Sequence, residues 1–401
     1  MSQKKAGSDS NGDAPAPERE LPVTVFCGFL GAGKTTVLRR VLSAGGAPSD
    51  SGRRFGVLVN DLSDLAVDAE VLGEAREGTG EKIVNLHRGT LGGVLRREFR
   101  EALETFRRNR ETDYLLVETS GATHPGAMVE EILACPGIRL DTFVTVVDGL
   151  SLLRDYDGGR ALWALENDAF SGAGALLLAQ IRAASVVLLS KADRLNRAQA
   201  ESMLAALQEL NPYCTLITTA YGRVDVVHVV HTRSFRPQRF RLGTVTEDDP
   251  GQYNLGSDVL VDPRPFHPDR LYTLFNERLP FGIYRCKGWI WIASRPNDVF
   301  VFNQSGSQFG LEWVATWRAT ILESQSEKLM PEEVAYLHTF VDAGDPLFGD
   351  RKCELTVIGT GQDRTVFLRE LEACLCTPAE VAAWQAGVPF ADLWPKTVAR
   401  V

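Results

Sequence analysis

The stretch that most constrains this chain is GFLGAGKTT, residues 28–36. It fits G-x-x-x-x-G-K-[ST], follows the apolar run PVTVFC (22–27) and opens a helical pattern at Lys34–Ser43. A glycine-rich turn between strand and helix can point successive backbone N–H groups inward around phosphate oxygens. The helix start adds a partial positive charge. Gly28, Gly31, Ala32, Gly33, Lys34, Thr35 and Thr36 would form this cradle. The Lys34 ammonium would reach the β and γ phosphates, and the Thr35 hydroxyl would ligate Mg²⁺.

The rest of the first half fits that setting. FGVLVN (55–60), YLLVE (114–118), TFVTVVD (142–148), SVVLLS (185–190) and TLITTA (215–220) are continuous, β-branched runs. Such runs mark strands buried on both faces of a parallel sheet. Helical patterns at Val94–Arg108, Gly126–Ala134, Gly174–Ala184 and Arg197–Leu210 separate them. The alternation predicts an α/β, doubly wound P-loop domain over 21–235.

Residues 1–20 contain almost no large apolar side chains and are expected to be a disordered tail without a secretory signal. Residues 236–258 lack a clear period and read as a linker. After them the pattern changes. A helix at DRLYTLFNERL, strands at GWIWIA, DVFVFNQ, QFGLEWV and CELTVIG, and helices at PEEVAYLHTFV and DRTVFLRELEACL predict a smaller α+β domain over 259–376. Residues 377–401 are expected to form a helical tail. Trp289, Trp291, Trp313 and Trp317 occur at strand spacing and are assigned to the core.

A nucleotide hydrolase needs an acid at the end of a neighbouring strand. Glu118 in LLVETSG occupies that place, as a Mg²⁺ ligand, and the Gly121 N–H faces the γ phosphate. SKAD (190–193) follows the strand SVVLLS, where Asn-Lys-x-Asp is the usual guanine reader. Asp193 would accept from guanine N1–H and the exocyclic amine, and Lys191 would lay its stem over the base. Ser190 is shorter than asparagine. Losing one loop-tethering bond would cost roughly 1 kcal/mol, about fivefold in affinity.

Taken together, GFLGAGKTT, ETSG followed by Pro125, TVVDG around Asp148 and the base motif resemble the CobW family of GTP-dependent metallochaperones. The second half is similar too, through RPFHP (264–268), CKGWIWIASRP (286–296) and FGDRKCEL (348–355). VNDLSDLAVDAEVL (59–72) resembles the branch associated with zinc homeostasis. The resemblance implies GTP and Mg²⁺ as ligands, a cytoplasmic setting and delivery of a metal to a client protein, with a homodimer allowed. The family carries its metal on Cys-x-Cys-Cys. Here that position aligns with Thr90-Leu91-Gly92-Gly93 in HRGTLGG, so no thiolate zinc site is expected there and zinc binding is left open. Soft thiolates would be the natural Zn²⁺ donors.

Other ligand candidates are weaker. Asp61 and Asp64 match acidic positions of the family's loop after the second strand and could serve Mg²⁺, or be solvated loop acids. His87 reads as a loop histidine, and His267 matches a family position. His228 and His231, at i and i+3, would share a helix face but read as surface histidines. Seven scattered cysteines suit reduced thiols, and Cys374 and Cys376 read as core or surface groups. A net charge of −9 and the lack of a basic stripe argue against nucleic acid, and the longest apolar run is broken by Gln180 and Arg182, against a membrane span. Two readings remain: a GTPase switch acting on a client, and a GTP-gated adaptor that carries no metal.

Overall fold

The computed structural model describes residues 20–45, 54–61, 82–87, 93–109, 112–164, 172–239, 255–280, 282–305, 308–396 and 399–400. Asp64 and Thr90-Leu91-Gly92 lie outside them, and of Asp61 and His87 only the backbone is described.

The first half is one parallel sheet. Its strands are β1 (Leu21–Cys27), β2 (Phe55–Asp61), β3 (Lys82–His87), β4 (Tyr114–Glu118), β5 (Ile138–Asp148), β6 (Val186–Ser190) and β7 (Thr215–Thr218), in the order β3-β2-β4-β1-β5-β6-β7. Every described pairing within it is parallel. β1, β4 and β6 are buried at every position, as strands covered on both faces must be. β3 went unrecognised in the sequence because KIVNLH places Lys and Asn within a short run.

The covering helices are α1 (Lys34–Gly45), α2 (Gly93–Arg108), α3 (Pro125–Ala134), α4 (Gly149–Asp155), α5 (Arg160–Ala164), α6 (Ala173–Ala183) and α7 (Arg197–Leu210). On α2, Phe99, Leu103 and Phe106 recur at helical spacing and are buried. α7 begins with a reciprocal cap: Asn196 accepts from the Gln199 N–H, and the Gln199 side chain accepts from the Asn196 N–H. The chain moves outward on one side of β1 before returning to the other, which creates a switch point at the carboxyl ends of β1, β4 and β5. Ligands of open α/β sheets bind at such points.

The second half is a six-stranded sheet: β8 (Leu255–Asp262), β9 (Ile283–Ile290), β10 (Asp298–Ser305), β11 (Gln308–Thr316), β12 (Cys353–Thr360) and β13 (Ala399–Arg400), in the order β13-β11-β10-β9-β12-β8. All described pairings are antiparallel except β11 with β13. Its helices are α8 (Pro268–Glu277), α9 (Arg318–Gln325), α10 (Pro331–Val341), α11 (Gly361–Ala373) and α12 (Pro378–Gln385). Phe275 from α8 and Phe367 and Leu371 from α11 pack with Cys286, Phe300, Phe302 and Leu355 in one core. Trp291 and Trp317 are buried in it and Trp289 and Trp313 pack partly buried at its margin, although Trp291 and Trp317 stand just past the ends of β9 and β11.

Three sequence expectations change here. β8 starts at Leu255, inside the stretch expected to be a linker, because its eight residues pair along the whole of β12. β9 runs over 283–290 and ends before Trp291 and Ile292, so GWIWIA is only half strand. The C-terminal segment is more than a helical tail. After α12 it buries Trp394 to 3 %, whose indole N–H donates to the Pro268 carbonyl, and it returns as β13. Arg270 makes a forked pair with Glu380 at 2.7 and 2.8 Å, tying α8 to α12.

Candidate nucleotide site

β1 delivers the glycine-rich loop to the switch point. Register places Phe26 beside Glu118 on β4, and Asp148 on β5 beside Ser190 on β6. Motifs far apart in sequence thus end on one rim. Gly28 has φ +140°, and a Cβ there would meet the Val146 carbonyl oxygen at 2.2 Å, so only glycine lets the loop lie against β5. Lys34 folds back and donates to the carbonyls of Gly28 and Phe29 at 2.8 and 3.2 Å. This holds the ammonium across the mouth of the loop.

The Thr35 hydroxyl donates to Glu118 Oε1 at 2.6 Å. Two residues 83 positions apart, each expected to serve Mg²⁺, are therefore in contact. A hydroxyl and a carboxylate are hard oxygen donors of the kind Mg²⁺ takes, so this pair fits that ion.

A cavity of about 490 Å³ opens over the loop. Of the expected residues it is lined by Gly31, Gly33, Lys34, Thr35, Thr36, Glu118, Gly121 and Lys191. Five cations, Lys34, Lys191, Arg194, Arg285 and Lys287, face two carboxylates, Glu118 and Glu312. In a chain of net charge −9, this is a local field suited to a polyanion.

Gly28, Ala32, Ser190 and Asp193 do not line the cavity. The first three support the loop from behind. The Ser190 hydroxyl donates to the Ala32 carbonyl at 2.7 Å and to the Val147 carbonyl at 3.1 Å. The shorter serine still tethers the loop, because β6 brings it close enough to make the bond itself. Lys191 takes a left-handed backbone, φ +57°, and its ammonium pairs with Asp148 at 2.5 Å. Asp148 also caps α4 by accepting from the Leu150 N–H at 3.0 Å. Asp193 is exposed on the turn after β6.

The remaining candidates separate. Asp61 and His87 are neighbours in the β2–β3 ladder at the carboxyl end of the sheet. His228 and His231 do not share a helix: only a single 3₁₀ turn, Val226–His228, forms, and His231 has φ +57°. The intervening Val229 and Val230 are buried, and His231 rests edge-on against Tyr114 at 4.5 Å. His267 caps α8, its Nδ1 accepting from the Arg270 N–H at 3.5 Å. All seven cysteines are free and buried. Burial pushes the Cys374 thiol up to about 11 and the Cys376 thiol up to about 12, which makes them core groups and poor thiolate donors. Among the described residues no group of three or more His, Cys, Asp or Glu is arranged to hold a metal, and no helix is long and apolar enough to cross a membrane.

Sequence reasoning did not find His124. It caps α3, with Nδ1 accepting from the Gly126 N–H at 3.1 Å, and burial lowers its pKa to about 4. Its position before Pro125 in the strand-end loop was the available signal. Nor did it find Arg194, Arg285 and Lys287, the further cations of the cavity.

Comparison with known proteins agrees with this arrangement. Residues 22–218 match the family described as CobW/HypB/UreG, nucleotide-binding domain, and residues 255–375 match the Cobalamin synthesis protein cobW C-terminal domain. A Sinorhizobium protein named zinc chaperone CobW is 31% identical, over 72% of this chain and 86% of its own. Zinc-regulated GTPase metalloprotein activator 1 of Dictyostelium discoideum is 28% identical, over 90% of this chain and 81% of its own. The Zn(II)-bound YjiA GTPase from E. coli, a solved structure, is 18% identical with a TM-score of 0.38, covering 89% of this chain and 100% of its own. With both domains matched in order and the P-loop geometry in place, the chain belongs to the CobW family of P-loop GTP-binding proteins.

Proposed function

We propose that this chain is a Mg²⁺-dependent GTPase whose nucleotide state governs its action on a client protein in metal homeostasis. The observation that carries the reading is the meeting of Thr35 and Glu118 beneath a glycine-rich loop in a cation-lined cavity. The amides of Gly31 to Thr36 and the Lys34 ammonium hold the phosphates, and the Gly121 N–H meets the γ phosphate. Thr35 and Glu118 would hold Mg²⁺, which neutralises charge on the β and γ oxygens when bound. Asp193 reads guanine from the turn after β6, and Lys191 borders the base.

Water attacks the γ phosphorus, the bond to the β–γ bridging oxygen breaks, and that oxygen leaves on GDP. Loop amides and Lys34 stabilise the charge that develops. The GFLGAGKTT, ETSG and SKAD motifs themselves contain no arginine, and Arg194 and Arg285 reach the cavity from outside them; turnover in isolation is slow in this reading and rises with the client.

Zinc is the cargo named for the relatives. In this chain the aligned position reads Thr90-Leu91-Gly92-Gly93, and all seven cysteines lie elsewhere and are buried. Cargo metal would therefore be held by nitrogen or oxygen donors, or jointly with the client, in a cytoplasmic setting.

The test is phosphate release from GTP and Mg²⁺ by the purified chain, with ATP as competitor. GTP-specific release supports the reading. ATP competing as well as GTP would remove the guanine assignment, and no release with any client or metal present would sink the GTPase.

A further inference from the structure

The floor of the cavity comes from the strand-end loops of the first domain. Its roof comes from the second domain. In the antiparallel ladder Arg285 pairs with Ser305, and Asn303 pairs with both Lys287 and Gly310. Side chains alternate across a strand, so Arg285, Lys287, Asn303 and Ser305 share one face of the sheet. Cys286, Phe300 and Phe302 point the other way, into the core. The sheet thus has a dry face against its own helices and a polar face turned to the glycine-rich loop.

Two contacts show how close that face lies. A Cβ at Gly31 would stand 1.5 Å from Ser305 Oγ, and the Phe29 ring meets the Tyr284 ring edge-on at 5.2 Å. Ser305 Oγ is buried and has no hydrogen-bond partner among the described residues. Arg285 sits one strand over from Ser305, about 5 Å away in the pairing direction. Arg285 and Lys287 line the same cavity as Lys34 and Thr35. Lys287 is only 8 % exposed, so bulk water screens its charge little. Glu312 shares the roof.

We propose that Arg285 and Lys287 bind the terminal phosphate of GTP from the second domain, so that the triphosphate, and not the diphosphate, draws the two domains together. This rests on the GTP reading above. A P-loop cradles the inner phosphates on its own amides, and the γ phosphate is the group that differs between the two nucleotides. Cations reaching it across the domain boundary make the roof the part of the protein that senses nucleotide state. The P-loop would then touch its sensor directly through Phe29 and Gly31.

The experiment measures binding of fluorescent GDP and of a fluorescent non-hydrolysable GTP analogue, with Mg²⁺, to the full chain and to Arg285→Gln, Lys287→Gln and the double variant. The double variant is expected to lose affinity for the analogue by about tenfold or more, because charge-assisted bonds are lost, while GDP affinity stays within about twofold. Hydrogen exchange on the unaltered chain supplies a readout that needs no variant: residues 283–290 and 298–305 should gain protection with the analogue and not with GDP. An unchanged ratio of the two affinities together with nucleotide-independent exchange would overturn the proposal and leave the GTP reading standing. Failure of the unaltered chain to bind either nucleotide would overturn both. If the double variant loses GDP binding as well, the single variants and the exchange experiment decide.

Discussion

The floor and the roof of the cavity are built by different means. The floor is made of short motifs, each at the end of a parallel strand: GFLGAGKTT after β1, ETSG after β4 and SKAD after β6. The roof's family-like stretch, CKGWIWIASRP, names no phosphate role by itself. Its cations are alternate residues of β9, and they face the site only because β9 pairs with β10 and the sheet lies over the loop. Local backbone chemistry fixes the floor, since glycines, a lysine and a hydroxyl must stand at set spacings. Long-range register fixes the roof, and a one-residue slip of β9 would turn Arg285 and Lys287 into the core.

The largest effect separating the two should come from the floor. Lys34→Ala removes the ammonium that bridges the Gly28 and Phe29 carbonyls, and phosphate release should fall on the order of 10²-fold or more. A steady-state assay checks this, with unchanged far-ultraviolet circular dichroism as the control. A fall under threefold would make the loop a structural turn.

Next comes the contact between floor and roof. Gly31→Ala adds a Cβ at φ +73°, where a non-glycine residue costs roughly 1–2 kcal/mol, and drives it into Ser305. GTP-analogue affinity should drop. Pairing it with Ser305→Gly should relieve the clash and leave the backbone strain, giving a coupling of about 1 kcal/mol in a double-mutant cycle. Strictly additive effects would mean that the two domains do not touch there in solution.

A smaller effect is expected behind the floor. Ser190→Ala removes the bonds to Ala32 and Val147 and should cost about 1–2 kcal/mol, read from chemical denaturation with nucleotide affinity measured in parallel. A neutral substitution would show that the serine does not tether the loop.

The smallest effect concerns His124. Its pKa is depressed by burial to about 4, below the ordinary 6.5, so it folds neutral. Its contribution is present above about pH 6.5 and is lost as pH falls toward 4, because the unfolded chain binds the proton first. His124→Asn keeps a good helix cap and should flatten this part of the stability profile, followed by melting temperature between pH 7 and 4.5. An unchanged profile would assign the acid sensitivity to other groups.

These differences also explain what was legible in the sequence. The parallel sheet could be read because double-sided burial demands continuous apolar runs, and β4 and α7 fall where those runs and the helical patterns between them placed them. β3 was lost because an edge strand tolerates Lys and Asn, and β8 was lost because GSD interrupts its pattern. Thr35 and Glu118 were paired in advance because each has a role at its own motif. Lys287 lies in the family-like stretch CKGWIWIASRP, but neither it nor Arg285 has a phosphate role readable there, and only the ladder with β10 turns them toward the loop. Side-chain length alone did not show that Ser190 still reaches the loop, because that depends on the short distance between β6 and the loop.

The most direct measurement is a crystal structure of the full chain with Mg²⁺ and a non-hydrolysable GTP analogue. The account predicts the triphosphate seated on the amides of Gly31 to Thr36, with Lys34 on one side of the γ phosphate and Arg285 or Lys287 within hydrogen-bond distance on the other. A nucleotide bound elsewhere, or seated on the loop with the second domain swung clear of the γ phosphate, would contradict it.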